Sequence, residues 1–312
     1  MPGIYYTFAA PPVTGGDMIA VDHVAALDRM GFNARAYYCA PDDGFTKFSI
    51  PVAKPGTPIG PGDVLVLGET QREMLAFAGD LPCIKVMHNQ NPYFTFFGFR
   101  NAAGINAYPF AHMMVLSDFT TECLRGLGVT HPIQRVRPAL PDYFAPAPKK
   151  FQIAFTPLKR QAEALYLAEY FKAQAPEYAH LPWVQLLNMP RRDCARMMAE
   201  SAIWAGFPWL ESLGLMNLEA MASGCHVVGY VGHGGTEYVT PENGDWIADG
   251  DHKAFVAGLK AACRLFESGA DNPRIAAGHA TAAQFSQANF ETDLNRAWST
   301  ILGDTMGLYR KL

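Results

Sequence analysis

Residues 207–239 read FPWLESLGLMNLEAMASGCHVVGYVGHGGTEYV, and they set two carboxylates, Glu211 and Glu219, around a glycine-punctuated helix start. The apolar run 202–207 that leads in has the length of a buried strand, and Pro208 marks a turn. Leu215, Leu218, Met221 and Ala222 then share one face of a helix that contains Glu219 and begins just after Glu211. Gly224 ends that helix, and a second apolar run, 226–231, follows it. The unit is strand, ligand loop, helix, strand. Backbone N–H groups near Leu213, Gly214 and Leu215 have no intrahelical partner, and the helix dipole adds partial positive charge at that end. A diphosphate fits such a start without a metal ion, and Gly214 lets a ligand approach the main chain.

A bare pair of glutamates at this spacing is an ordinary solvated helix face; the residues embedded around it carry more. The ordered string Glu211-Ser212-Leu213-Gly214-Leu215, then Leu218-Glu219-Ala220-Met221-Ala222-Ser223-Gly224, then Gly234-Gly235-Thr236-Glu237, resembles the signature of the retaining GT-B glycosyltransferases of the family 4 type. Ser212 stands where that pattern has glycine, and His226 where it has proline. The resemblance implies an α/β chain of GT-B architecture, two Rossmann-like doubly wound domains facing a central cleft. It also implies that Glu211 orients the hydroxyls of a donor sugar while Glu219 binds the ribose of its nucleotide. Neither role needs an altered pKa, which separates the scheme from hydrolysis by an acid and nucleophile carboxylate pair.

The rest of the chain has the same grammar. Short apolar runs at 4–9, 34–39, 64–67, 84–88, 113–117 and 133–136 predict a six-stranded first sheet, with helices at 17–30, 70–78 and 118–127. Pro138, Pro141, Pro146 and Pro148 crowd the approach to Lys149-Lys150 and predict the linker. A second set of runs, 151–155, 183–187, 202–207, 226–231 and 245–248, alternates with helical patterns at 158–174 and 191–200. From about Asp251 onward the pattern is helical, with Phe290, Leu294, Trp298 and Ile301 on one stripe. The expected division is therefore an acceptor domain over 1–147, a nucleotide-sugar donor domain over 148–290, and a last helix over 291–312 that packs back on the first domain. In two such domains the ligand belongs at the C-terminal ends of the strands.

Further candidates follow from that frame. Gly15-Gly16, between the first strand and first helix, is either an ordinary turn or a place where phosphate or sugar meets the main chain. It is not a G-x-G-x-x-G, so a dinucleotide reading is weak. His88 closes the fourth strand; it is a structural histidine or, as the resemblance implies, a group facing the transferred sugar, with Asn89 and Asn91 as alternative contacts. Lys159-Arg160 follow the strand 151–155, and a cation there would stabilise a departing diphosphate. The family's wider Arg/Lys spacing is missing, so Lys159, Arg160 or neither does this. Asn188-Met189 sit where the resemblance places the nucleobase, read through main-chain groups that leave the base unidentified. The aromatic run 93–99, YFTFFGF, is core packing or a surface for a saccharide or lipid-linked acceptor, with weak peripheral membrane contact.

Bulk properties set the limits. With 312 residues the chain accommodates two domains of about 150 each. A formal net charge of −4 with 17% charged residues lacks the basic excess of a nucleic-acid binder. The six cysteines stand singly without zinc spacing, and no D-x-D or ligand cluster implies a metal. No leader or run of about 18 apolar residues is evident, so the expected location is cytoplasmic. The expected activity is metal-independent, cofactor-free transfer of a glycosyl group from a nucleotide-diphosphate sugar with retention. The rival readings are a catalytically silent nucleotide-sugar-binding homologue and a non-hydrolysing nucleotide-sugar epimerase.

Overall fold

Each apolar run singled out above becomes a parallel strand in the computed structural model, which describes residues 1–9, 14–38 and 48–311. Cys39, at the end of the second run, lies outside the described residues, as do Pro11, Pro12 and Val13 ahead of the glycine pair. The strands are apolar on both faces because helices cover both sides, the condition for an all-parallel sheet. By contacts the chain forms two units, Met1–Pro138 with Phe290–Leu312, and Ala139–Asn289.

In the first unit β1 (Ile4–Phe8), β2 (Ala34–Tyr38), β3 (Val64–Gly68), β4 (Ile84–Asn89), β5 (His112–Val115) and β6 (Ile133–Arg135) run in the order β2-β1-β3-β4-β5-β6. Between them lie α1 (Gly15–Arg29), α2 (Arg72–Ala78), α3 (Ala102–Ala107) and α4 (Asp118–Gly126). Thr14 and Asp17 cap α1 reciprocally: the Thr14 hydroxyl accepts from the Asp17 N–H and the Asp17 carboxylate accepts from the Thr14 N–H. A 3₁₀ helix, Pro92–Phe97, and α3 were not expected from the sequence. Both are short and start from local caps, Asn91 accepting from the Tyr93 N–H and Asn101 from the Gly104 N–H, rather than from apolar periodicity.

The second unit carries β7 (Lys150–Phe155), α5 (Gln161–Gln174), β8 (Trp183–Gln185), α6 (Arg191–Glu200), β9 (Ser201–Gly206), α7 (Leu215–Ala222), β10 (His226–Tyr230), β11 (Asp245–Ile247), α8 (His252–Ser268) and α9 (Pro273–Ala282). Its strand order is β11-β10-β9-β7-β8. One face of this sheet packs Phe171, Phe207, Phe255 and Leu259. The other packs Trp204, Leu213, Leu218 and Met221. Residues 139–147, which the sequence reading placed in the first domain, side with this unit instead: the Leu140 N–H donates to the Phe285 carbonyl and Phe144 is buried in the second cluster. Four prolines mark an extended arm without revealing which core it lies on.

The helix α10 (Gln287–Leu302) buries Phe290, Leu294 and Trp298, with the Trp298 ring 6.5 Å from Tyr6 of β1 and Phe290 5.2 Å from His23 of α1. Asp293 accepts from Arg137 at 2.7 Å.

Candidate functional site

The order of strands in the second unit has its turning point between β7 and β9, because β8 lies on one side of β7 and β9 to β11 on the other. In a doubly wound sheet, the loops leaving the strands at that point part to make the ligand crevice. Those loops carry Lys159, after β7, and Glu211, after β9. Their side chains meet: Lys159 Nζ lies 2.8 Å from Glu211 Oε1, both partly exposed, beside Thr156, Phe207, Gly214 and Asn217 in one pocket.

The Glu211 loop is held rigidly. Leu210 is in the left-handed region at φ 50°, turning the chain so that Glu211 pairs with the loop after β10. The Glu211 N–H donates to the Gly232 carbonyl and the Gly234 N–H donates to the Glu211 carbonyl. A Cβ on Gly234 would stand 2.0 Å from the Ser212 carbonyl oxygen, so the first glycine of the Gly234-Gly235-Thr236-Glu237 loop is a packing requirement of the glutamate loop. Gly214, at φ 81°, begins α7 with no side-chain cap among the described residues, and the Tyr238 hydroxyl donates to its carbonyl. Asn217 in the first turn accepts from Trp204 Nε1 at 2.9 Å and fixes α7 against β9. The sequence reading missed Asn217; its signal was a second polar residue, beside Glu219, in a helix whose other residues are apolar. Leu213 is buried, and the amides of Leu213, Gly214 and Leu215 lie at this uncapped start.

Glu219 is only 4% exposed, and its carboxylate accepts from Arg191 Nη2 at 2.5 Å. Burial pushes its carboxyl up from the usual range, and Arg191 pulls it partly back. Arg191 was also missed; it opens α6 after Asn188, at φ 54°, Met189 and the N-cap Pro190. The exposed Asn188 and half-buried Met189 thus lead into the residue that holds Glu219.

Arg160 does not join this group. Its guanidinium, 10% exposed, pairs with Glu163 and Asp249, each at 2.8 Å, and lies 4.3 Å over the Trp209 ring and 4.7 Å over Tyr230. The two cations thus have different surroundings: Lys159 reaches Glu211 in the pocket, while Arg160 braces α5 against β10.

The remaining candidates belong to the first unit. His88 is buried, its ring 4.6 Å from His23, and its Nδ1 3.4 Å from Gln90 Nε2. Burial lowers its pKa to about 4, so the imidazole is neutral at physiological pH. A Cβ on Gly16 would stand 2.4 Å from Gln90 Oε1, which puts the glycine turn against the loop after His88, while Gly15 faces open space. The start of α1 already carries the Asp17 carboxylate, which disfavours a second anion there. In the aromatic run, Phe99 is buried, whereas Tyr93, Phe96 and Phe97 are exposed, Phe97 by 62%. No helix among the described residues is long and apolar enough to cross a membrane.

No protein-family model matches the chain. An α-1,6-glucosyltransferase of Actinobacillus pleuropneumoniae serotype 7 is 33% identical over 312 residues, covering 96% of this chain and 94% of that protein. Among solved structures, Anabaena HepE in complex with UDP-glucose is similar with a TM-score of 0.72 at 15% identity, over 96% of this chain and 99% of its own. The pneumococcal O-GlcNAc transferase GtfA in complex with UDP and GlcNAc is similar with a TM-score of 0.69 at 9% identity, over 97% and 99%. At such identities the structural likeness speaks for the fold.

Proposed function

Because the chain belongs to the GT-B glycosyltransferases, we propose that it moves a sugar from a nucleoside diphosphate sugar to an acceptor hydroxyl with retention of configuration and without a metal ion. The observation that carries this reading is the Lys159–Glu211 pair beside the uncapped start of α7, at the turning point of the second sheet. Lys159 and the amides of Leu213, Gly214 and Leu215 take the diphosphate; Glu211 turns from Lys159 to the hydroxyls of the donor sugar; Glu219 takes the ribose. Asn188 and Met189 face the base. His88 serves as a neutral hydrogen-bonding group toward the sugar, and Gly15-Gly16 as a close-approach turn.

In the reaction the anomeric C–O bond to the diphosphate breaks as a C–O bond to the acceptor forms, and the acceptor's proton goes to the departing phosphate. Charge grows on that phosphate in the transition state, so a fixed ammonium and oriented amides accelerate the step directly. Positioning by Glu211 supplies the rest. UDP-glucose is the first donor to test, since HepE is similar in fold and was solved with it. Its anomeric bond is α, so an α-linked product, as the Actinobacillus relative's name specifies, would mean retention. The exposed rings of Tyr93, Phe96 and Phe97 suit stacking on a saccharide or lipid-linked acceptor.

The test is a thermal-shift panel of UDP, GDP, ADP and dTDP with their sugars, followed by turnover with and without EDTA. A ligand at a hundred times its Kd stabilises the folded protein by about 2.7 kcal/mol. One nucleotide should raise the midpoint selectively, and chelation should leave turnover unchanged. No shift with any nucleotide would sink the proposal.

A further inference from the structure

A carboxylate buried as deeply as Glu219 takes up a proton unless a partner holds it charged. Its partner comes from another element: Arg191 opens α6, with Arg192 beside it. Two cations at a helix N-terminus oppose the dipole, so their placement needs a compensating contact. Arg192 lies 4.7 Å over the Tyr143 ring and Arg191 5.6 Å over Phe144, which makes the arm 139–147 a support for both guanidinium groups. A carboxylate accepts about four hydrogen bonds, and Arg191 occupies one, on Oε1. Lone pairs remain for two neighbouring hydroxyls.

Resting on the reading of Glu219 as the ribose ligand, we infer that Arg191 is a positioning residue: it keeps this buried carboxylate ionised and aimed, so that the nucleotide meets a charged acceptor. Burial raises the Glu219 carboxyl and Arg191 opposes that rise. Among the described residues the Cys194 thiol, also on α6, interacts with Glu219 too; burial pushes it up, so it is neutral. Removing Arg191 lets Glu219 protonate at a higher pH, so nucleotide affinity falls first on the acid side and returns as pH rises.

Calorimetric titration of UDP into the parent, Arg191→Gln, Arg191→Lys and Glu219→Gln at three pH values decides the matter. The phosphate and uracil of UDP titrate alike in every case, so the variant-to-parent ratio isolates the protein. The expected result is that Arg191→Gln binds about tenfold more weakly near pH 6 and within about twofold near pH 9, the ratio at each pH following the share of Glu219 that the variant leaves protonated. Arg191→Lys should follow the parent, and Glu219→Gln should be weak throughout. A loss by one constant factor at every pH, or no loss, overturns the positioning role. A parent that binds UDP no better than Glu219→Gln is a different failure, that of the ribose assignment itself, and the inference falls with it.

Discussion

At the residue scale, the two adjacent cations Lys159 and Arg160 stand in different surroundings. Lys159 shares a pocket with Glu211, and Arg160 is walled in by Glu163, Asp249, Trp209 and Tyr230. Substituting each with Ala should separate the two roles. Lys159→Ala and Glu211→Ala are expected to lower kcat by roughly 10²- to 10³-fold, the scale of one lost transition-state contact, with thermal midpoints near the parent's. Arg160→Ala is expected to cost on the order of 2 kcal/mol or more in urea unfolding, since it strands a partly buried carboxylate and empties a stacked position. Equal loss of turnover at constant stability in Arg160→Ala would reverse the assignment.

At the scale of elements, the glutamate loop and the glycine loop after β10 are one construction. The backbone pairing of Glu211 with His233 leaves no room for a side chain at Gly234. Gly234→Ala should therefore open that pairing, costing about 1–3 kcal/mol and most of the activity. Gly235→Ala should be milder, because its Cβ first meets the Val231 side chain at 3.3 Å. Paired unfolding and turnover measurements compare them; equal effects would mean the loops do not depend on this approach. The departure at His226 has its own logic in the second unit. The ring bonds through Nε2 to Asp245 at 2.8 Å and through Nδ1 to the Asn272 amide at 3.0 Å, which joins β10, β11 and the start of α9 through both ring nitrogens. Proline could make none of these bonds.

At the scale of the molecule, the last segment completes the first unit. Leu294 and Trp298 are fully buried against it, Tyr309 donates to the Gly62 carbonyl, and Phe32 bridges to Arg310. Trp298→Ala should lower the stability of this unit by about 3–5 kcal/mol, while UDP still stabilises the second. In a scanning-calorimetry trace the two should separate, with only the second responding to nucleotide; a single transition shifted as a whole would contradict this. Asp293 adds a pH dependence. Burial alone would raise its carboxyl, but the hydrogen bond and charge of Arg137, with Arg296, hold it below the ordinary value. That contribution is complete above the unfolded pKa of about 3.9 and is lost as pH falls through the lower folded value, so acid should unfold the first unit early and Asp293→Asn should flatten the effect.

The sequence by itself determined the α/β class, every strand, the strand-loop-helix-strand unit and the family resemblance, because burial in a parallel sheet demands apolar runs and a ligand loop demands glycine at definite places. It located Glu211 and Glu219 but not their partners. Arg191 lies far from Glu219 along the chain, and Lys159 far from Glu211, so only the order of strands about β7 and β9 brings each pair together. The allegiance of residues 139–147, the division between Lys159 and Arg160, and the exposure of Phe96 and Phe97 beside buried Phe99 were likewise tertiary decisions. Each depends on which surface a side chain finds opposite it, and local composition carries no record of that.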